Sequence, residues 1–290
     1  MKYISFTFDD GRRDNYLYAY PIMKKYGIKG TLFCTTGYID GSWKKDESWH
    51  SAGEPIHVEE LRELGDNGWE LALHGDKHTT EVNDLKCASK KMELWGFVNR
   101  PIGFSMPNSN IAKEKLNAVI DTFLGSELLY IRAGRKLDTK SFSAKALFAL
   151  YTYGHMQWAY NRFNNQNLTN VRNVDRKQIY SVVVRCKDDP EMIAKFVEQI
   201  PDNTCAVLML HSILPEDNKY YGTDPWNWSV ARFSEFCNKI NRMSNEGRIE
   251  VVTLNKIADG TYWQQIVRDF NMGKFDGYQA EELLSAGYKK

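Results

Sequence analysis

The sequence predicts an α/β barrel of seven or eight parallel strands, and three observations carry that reading. Short apolar, β-branched segments alternate with amphipathic helical ones along almost the whole chain. The connections between them are short, and repeated β-then-α units of that kind imply parallel strands joined by right-handed crossovers. The chain has 290 residues, a common size for one such barrel.

In chain order, residues 3–8 have the composition of a strand, and 16–26 that of a helix ended by Gly27. Residues 30–35 are a second strand, rich in β-branched and aromatic side chains. A short helix over 58–67 stops at Gly68, as a terminal glycine allows. Then come a strand at 69–73, a helix at 83–97, a strand at 100–104, a helix at 111–123, a strand at 128–133 and a helix at 140–150. The Asn-rich stretch 153–176 is the least regular. The pattern resumes with a strand at 178–184, a helix at 191–199, a strongly apolar strand at 204–210, a helix at 231–246 and a last strand at 250–253. Residues 1–260 are expected to form one barrel domain and 261–290 a helical tail.

Bulk properties narrow the function. Apolar residues make up 42%, enough for a large core, and the net charge of +1 lacks the basic excess of a nucleic-acid binder. No apolar run approaches the 18 residues of a membrane span. The first ten residues alternate and end in two acids, unlike a signal peptide. The five cysteines are odd in number and widely spaced, which suggests reduced thiols and a cytoplasmic protein.

Three strands end in polar residues suited to catalysis. The first ends in Asp9-Asp10, the third in His74-Gly-Asp-Lys-His78, and the late apolar strand in His211. In a parallel barrel all these ends open on one face, where the active site lies. Borderline divalent cations take imidazole and carboxylate ligands and keep one position open for water. Of two adjacent aspartates, one can ligate while the other accepts a proton from water made acidic by the metal. A histidine across the site can protonate a leaving amine. This equipment suits hydrolysis of an amide.

These residues resemble the motifs of the polysaccharide deacetylase family, carbohydrate esterase family 4, with its NodB homology domain. Thr7-Phe8-Asp9-Asp10-Gly11 is similar to the family's first motif, His74-Gly75-Asp76-Lys77-His78 to its His-x-x-x-His motif, and Leu208-Met209-Leu210-His211 to its Leu-x-Leu-His motif. Gly30-Thr31-Leu32-Phe33 and Trp69–Leu73 stand where the family has its second and third strands. The resemblance implies a distorted (β/α)7 TIM-like barrel and removal of an N-acetyl group from an amino-sugar-containing saccharide. It also implies Asp9 as catalytic base, His211 as general acid, and Asp10, His74 and His78 as metal ligands. The implied cofactor is a divalent metal, zinc by preference, with Co2+, Ni2+ or Mn2+ as alternatives. The expected partner is an N-acetylated saccharide.

Two family features are missing. Phe104-Ser105-Met106-Pro107-Asn108 stands where an arginine-containing motif belongs, and the fourth motif's Asp and Trp are absent from the strand ending in Arg132-Ala-Gly-Arg135. Ser105 cannot make the charged contact that orients the base, so Arg132 or Arg135 is the candidate to supply it, with Arg132 preferred. The backbone N–H of Asn108 is a candidate oxyanion donor. Trp226 and Trp228, in the aromatic segment after His211, are candidate platforms for a sugar ring, and Gln157, Trp158, Tyr160 and Asn161 are candidate pocket residues. Two alternatives fit the same residues: a related barrel cleaving another C–N amide or imidate bond, and a catalytically weak carbohydrate-binding relic.

Overall fold

The computed structural model describes residues 1–44, 53–97, 102–108, 113–136 and 141–260. The proposed tail at 261–290 lies outside them, as do residues 100–101, 111–112 and 140 at the edges of three expected elements.

Among the described residues, seven parallel strands make the barrel. Five come in sequence: β1 (Lys2–Phe8), β2 (Gly30–Cys34), β3 (Glu70–Leu73), β4 (Ile102–Ser105) and β5 (Leu128–Arg132). The short antiparallel β6 (Thr169–Asn170) lies on the N-terminal edge of β8, and β7 (Val182–Val183) and β8 (Thr204–Leu210) return the sheet to β1. The spatial order β5-β4-β3-β2-β1-β8 is continuous. The ring closes through the stretch leading into β7. There Ile179 N donates to Ile131 O of β5 (2.9 Å), Ala133 N donates to Ile179 O (2.7 Å), and Val184 N donates to Met209 O (3.0 Å). The expected strand at 178–184 is therefore split: its first part pairs with β5 and its last part with β8. This discontinuity is the distortion of the barrel.

Outside the ring run α1 (Tyr20–Lys25), preceded by a wider turn over Asn15–Ala19, α2 (Thr36–Ile39), α3 (Val58–Asp66), α4 (Val82–Leu94) and α5 (Lys113–Phe123). They are followed by α6 (Phe142–Thr152), α7 (Gln157–Asn164), α8 (Pro190–Gln199), α9 (Val230–Asn245) and α10 (Leu254–Asp259). A second parallel pair, β9 (Ser212–Leu214) with β10 (Asn227–Ser229), stands beyond β8, and β11 (Ile249–Val251) flanks the start of β1. The stretch expected to be irregular, 153–176, contains α7. Its helix was obscured by the many asparagines, several of which bond side chain to side chain or backbone: Asn161 to Gln199 and Asn164 to Tyr160.

Alternation along each strand explains the core. On β1, Phe6 and Phe8 point outward and pack on Phe236 and Phe233 of α9, with ring centroids 5.7 and 6.0 Å apart, and Phe8 stacks on Trp69. The opposite parity, Ser5, Thr7 and then Asp9, faces the barrel interior. The same parity puts Glu70 and His74, Gly103 and Ser105, and Tyr130 and Arg132 inside. Gly103 is obligatory: a Cβ there would meet the Tyr130 ring at 2.2 Å.

At the N-terminal end of the barrel, buried Glu70 accepts from Tyr130 Oη (2.7 Å), Thr31 Oγ1 (2.7 Å) and the backbone N–H of Asn255 (2.9 Å). Burial pushes its carboxyl pKa up despite these bonds. One carboxylate thus ties β3 to β2, β5 and the start of α10. Tyr130→Phe leaves a buried oxygen short of its donor and is expected to destabilise the fold by about 1–3 kcal/mol. Urea denaturation showing unchanged stability would count against this role.

Candidate active site

The candidate site is built where β1, β3 and β8 end on the C-terminal face. Just past β1, Asp10 and Gly11 both adopt left-handed backbone, with φ of 80° and 78°. This is uncommon for a residue with a Cβ but tolerated by Asp. The double turn swings the Asp10 carboxylate over the barrel mouth. Asp10 Oδ1 lies 3.4 Å from His74 Nε2 and 3.6 Å from His78 Nε2. Ligand atoms of the three residues all lie within 4.8 Å of one another, a group that could hold a metal ion.

Supporting contacts fix each donor. His74 Nδ1 lies 2.9 Å from the Ser105 carbonyl. A carbonyl can only accept, so Nδ1 carries the proton and Nε2 keeps its lone pair for the cluster. Arg12 Nε donates to Asp10 Oδ2 (2.9 Å), which leaves Oδ1 facing the imidazoles. Arg12 also reaches Ser212 Oγ (2.5 Å), and Asp14 in turn accepts from Ser212 Oγ and Ile213 N, both at 3.0 Å. The loop carrying His78 is gathered on Asp84, whose carboxylate accepts from the backbone N–H groups of Asp76 and Lys77, both at 2.9 Å. Asp76, though central in the His-x-x-x-His motif, holds Thr36 Oγ1 and Lys91 Nζ, each at 2.8 Å, and anchors the loop.

Burial dominates the electrostatics. It works to raise the Asp10 pKa, but Arg12, the hydrogen bond to His74 and the nearby histidines overcome it and hold the carboxylate well below its usual range. Burial, then the neighbouring His74, drive His78 down to about 3. His74 is raised: burial opposes its charge, and Asp9 and Asp10 outweigh that. One carboxylate, one imidazole strongly disposed to be neutral and one imidazole with its tautomer set make a donor set that fits a borderline divalent cation.

Beside this cluster, Arg132 Nη2 sits 2.6 and 2.5 Å from the two oxygens of Asp9. The same guanidinium donates to Ser105 Oγ and to Ser181 Oγ (3.1 Å) and lies 4.9 Å over the Phe33 ring. Ser105 and Arg132 are partners in the β4–β5 register, so the short serine leaves the space through which the arginine of the next strand crosses to Asp9. His211, just past β8, places Nε2 4.0 Å from Asp9 Oδ2. The Asn15 amide donates to the His211 carbonyl (2.7 Å), and the imidazole packs against Trp226 with centroids 5.3 Å apart. No described residue bonds to His211 Nδ1. Burial lowers the His211 pKa although Asp10 and Asp9 pull it upward.

The remaining candidates separate. Asn108 stands at the rim beyond β4, exposed and at φ 60°. Arg135 is turned away from Asp9 and lies 5.2 Å over the Phe163 ring. Trp228 is a correction: it is 1% exposed, donates its indole N–H to Asp188 O (3.0 Å) and packs on Phe233 and Phe236, so it offers no face to a sugar. Alternation on β10 sends its side chain inward under α9. Gln157 and Asn161 bond to α8 and its end, away from the mouth. Arg12, Asp14, Asn15 and Asp84 were missed by the sequence reading. Of these only Arg12, two residues past the paired aspartates, carried a local signal.

Residues 1–121 match the polysaccharide deacetylase family. A poly-β-1,6-N-acetyl-D-glucosamine N-deacetylase of Staphylococcus aureus (strain MRSA252) is 35% identical over 89 residues, 30% of this chain and 29% of that protein. YxkH of Bacillus subtilis (strain 168) is 33% identical over 95 residues, 32% of this chain and 29% of its own length. The chain thus spans under a third of either relative. Among solved structures, a family 4 acetyl xylan esterase from Clostridium thermocellum is similar with a TM-score of 0.49 and 13% identity, over 88% of this chain and 90% of that one. The matched residues include Asp9, Asp10, His74 and His78 and stop short of Arg132 and His211. No helix among the described residues is long and apolar enough to cross a membrane.

Proposed function

With residues 1–121 matching the polysaccharide deacetylases, we propose that this chain is a metal-dependent hydrolase that removes an N-acetyl group from an amino-sugar-containing saccharide. The observation that carries the reading is the convergence of Asp10, His74 and His78 beside an arginine-held Asp9 at one barrel mouth. Asp10, His74 and His78 hold a divalent cation, with zinc the best match to one carboxylate and two imidazoles. When bound, the cation supplies Lewis acidity, polarising a carbonyl and lowering the pKa of water.

The chain's own groups do the rest. Asp9 is the general base: Arg132 holds it in place, so it can take a proton from water. His211, 4.0 Å away, is the general acid. Because burial disfavours its charged form, an imidazolium at this position gives up its proton readily to the departing amine. Trp226, beside His211, offers a flat face to the sugar.

The test is acetate release from N-acetylglucosamine oligomers by the metal-loaded protein. No release from these or from any other N-acetylated saccharide would remove the reading. Arg132→Lys tests the supporting cation. A lysine keeps the charge but loses the forked contact, and one charge-assisted hydrogen bond is worth about 1.5–3 kcal/mol. Turnover is expected to fall roughly 10- to 100-fold with metal content unchanged. Unaltered kinetics would show that Arg132 does not position the base.

A further inference from the structure

A second cluster of charge lies on the same barrel face, one indole away from His211. Arg135 follows β5 and Arg185 follows β7, the two strands at the closure of the ring. Arg185 lies 4.5 Å over the Phe148 ring and 5.7 Å over Trp226, the residue that packs on His211. Arg135 lies 5.2 Å over Phe163, whose ring centroid is 6.3 Å from that of Phe148. The sequence His211, Trp226, Arg185, Phe148, Phe163, Arg135 is thus an unbroken run of neighbours leading away from the catalytic groups.

These arginines lack what buried charge normally has. Neither guanidinium makes a hydrogen bond or ion pair with any described residue, and the Nε–H of each is buried without an acceptor. The Tyr160 hydroxyl, also buried close to Arg135, has no partner either. The stacked aromatics account for the flat faces of the guanidiniums, but not for their edges, where the donors point. Asp188 is the nearby carboxyl. It is occupied by the backbone N–H of Arg185 (2.9 Å) and bonds to neither guanidinium, so one carboxylate faces two cations. Two cations sharing one carboxylate leave a net positive charge, which is costly to hold at a partly buried site. Burial and Arg185 together pull the Arg135 pKa down to about 10. Both side chains are only partly buried, so their outer donors remain within reach of a ligand.

We infer that Arg135 and Arg185 form an anion-binding subsite next to the acetyl-removing centre, with Trp226 as the wall between them. The ligand is an oxyanion, carboxylate or phosphate, carried by a saccharide whose N-acetylated sugar sits at Asp9 and His211. Forked guanidinium donors match the paired oxygens of such a group. The inference rests on the deacetylase reading and narrows its substrate class from neutral to acidic saccharides.

The experiment measures binding apart from turnover. Three probes are titrated calorimetrically into the protein and into Arg185→Gln and Arg135→Gln: N-acetylchitotetraose, an alternating N-acetylglucosamine–glucuronate tetrasaccharide, and N-acetylglucosamine 6-phosphate. Acetate release is followed in parallel. At least one anionic probe is expected to bind about tenfold more tightly than the neutral one, equivalent to a 1.4 kcal/mol difference. That preference should shrink in both variants and, in the unaltered protein, as salt screens the charge. Preference for the uronate assigns a carboxylate, and preference for the phosphate sugar assigns a phosphate. Equal affinities for all three probes, or a preference that persists in both variants, overturns the subsite. Because the salt series uses the unaltered protein, the test holds even if a variant does not fold. Absence of acetate release with an intact, arginine-dependent preference would instead overturn the deacetylase reading alone.

Discussion

The His74→Ala and His78→Ala variants are each expected to lose stoichiometric binding of a divalent cation and to lose turnover by on the order of 10³-fold or more, since the Lewis acidity of a bound metal is worth several kcal/mol. The two should not be equivalent. His74 is 2% exposed and is clamped through Nδ1 to the Ser105 carbonyl, so its removal also opens a buried gap and frees an acceptor on β4. His78 sits on a loop at φ 54° with 12% of its side chain exposed, so it is less deeply packed than His74. His78→Ala should therefore keep thermal stability close to that of the unaltered protein while losing the ion. Elemental analysis showing full metal occupancy in both variants would show that these donors are not the ligands.

Asp9→Asn is expected to leave the cation bound and to lower turnover about 10²- to 10⁴-fold, the usual range for a lost general base. The structure explains why the two adjacent aspartates should behave so differently. Asp10 faces the imidazoles, whereas both oxygens of Asp9 are taken by Arg132. The amide cannot serve as a base at neutral pH, but it keeps an oxygen to accept from Arg132, so the pocket should hold its shape. Some stability will be lost, because a buried guanidinium loses its counter-charge. Metal content, melting temperature and initial rate together separate the cases. A variant that binds metal, remains folded and still turns over near the normal rate would show that Asp9 is not the base.

Local sequence specified much of this molecule. The alternation of strand and helix segments, with apolar runs such as 204–210, required buried parallel strands, and the first five strands lie where those runs predict. The paired aspartates and the His74–His78 spacing sit at strand ends, and a parallel barrel delivers all such ends to one face whatever the details of packing. That much followed from periodicity and topology.

What required the tertiary structure was every choice made between strands. Arg132 and Arg135 are three residues apart and look alike in sequence. Arg132 keeps the inward parity of Tyr130 and meets Asp9, while Arg135 falls past the strand end and turns onto Phe163. Trp226 and Trp228 are two residues apart, yet one packs beside His211 and the other lies under α9, bonded to Asp188 O. The split closure of the ring through Ile179 and then Val182, the Arg12–Asp10 clamp and the Asp84 cradle under the histidine loop all join residues with no shared local pattern. Periodicity reports which face of an element is apolar. It carries no information about which polar residue lies opposite on a neighbouring element, because register and closure are set by the packing of the whole barrel.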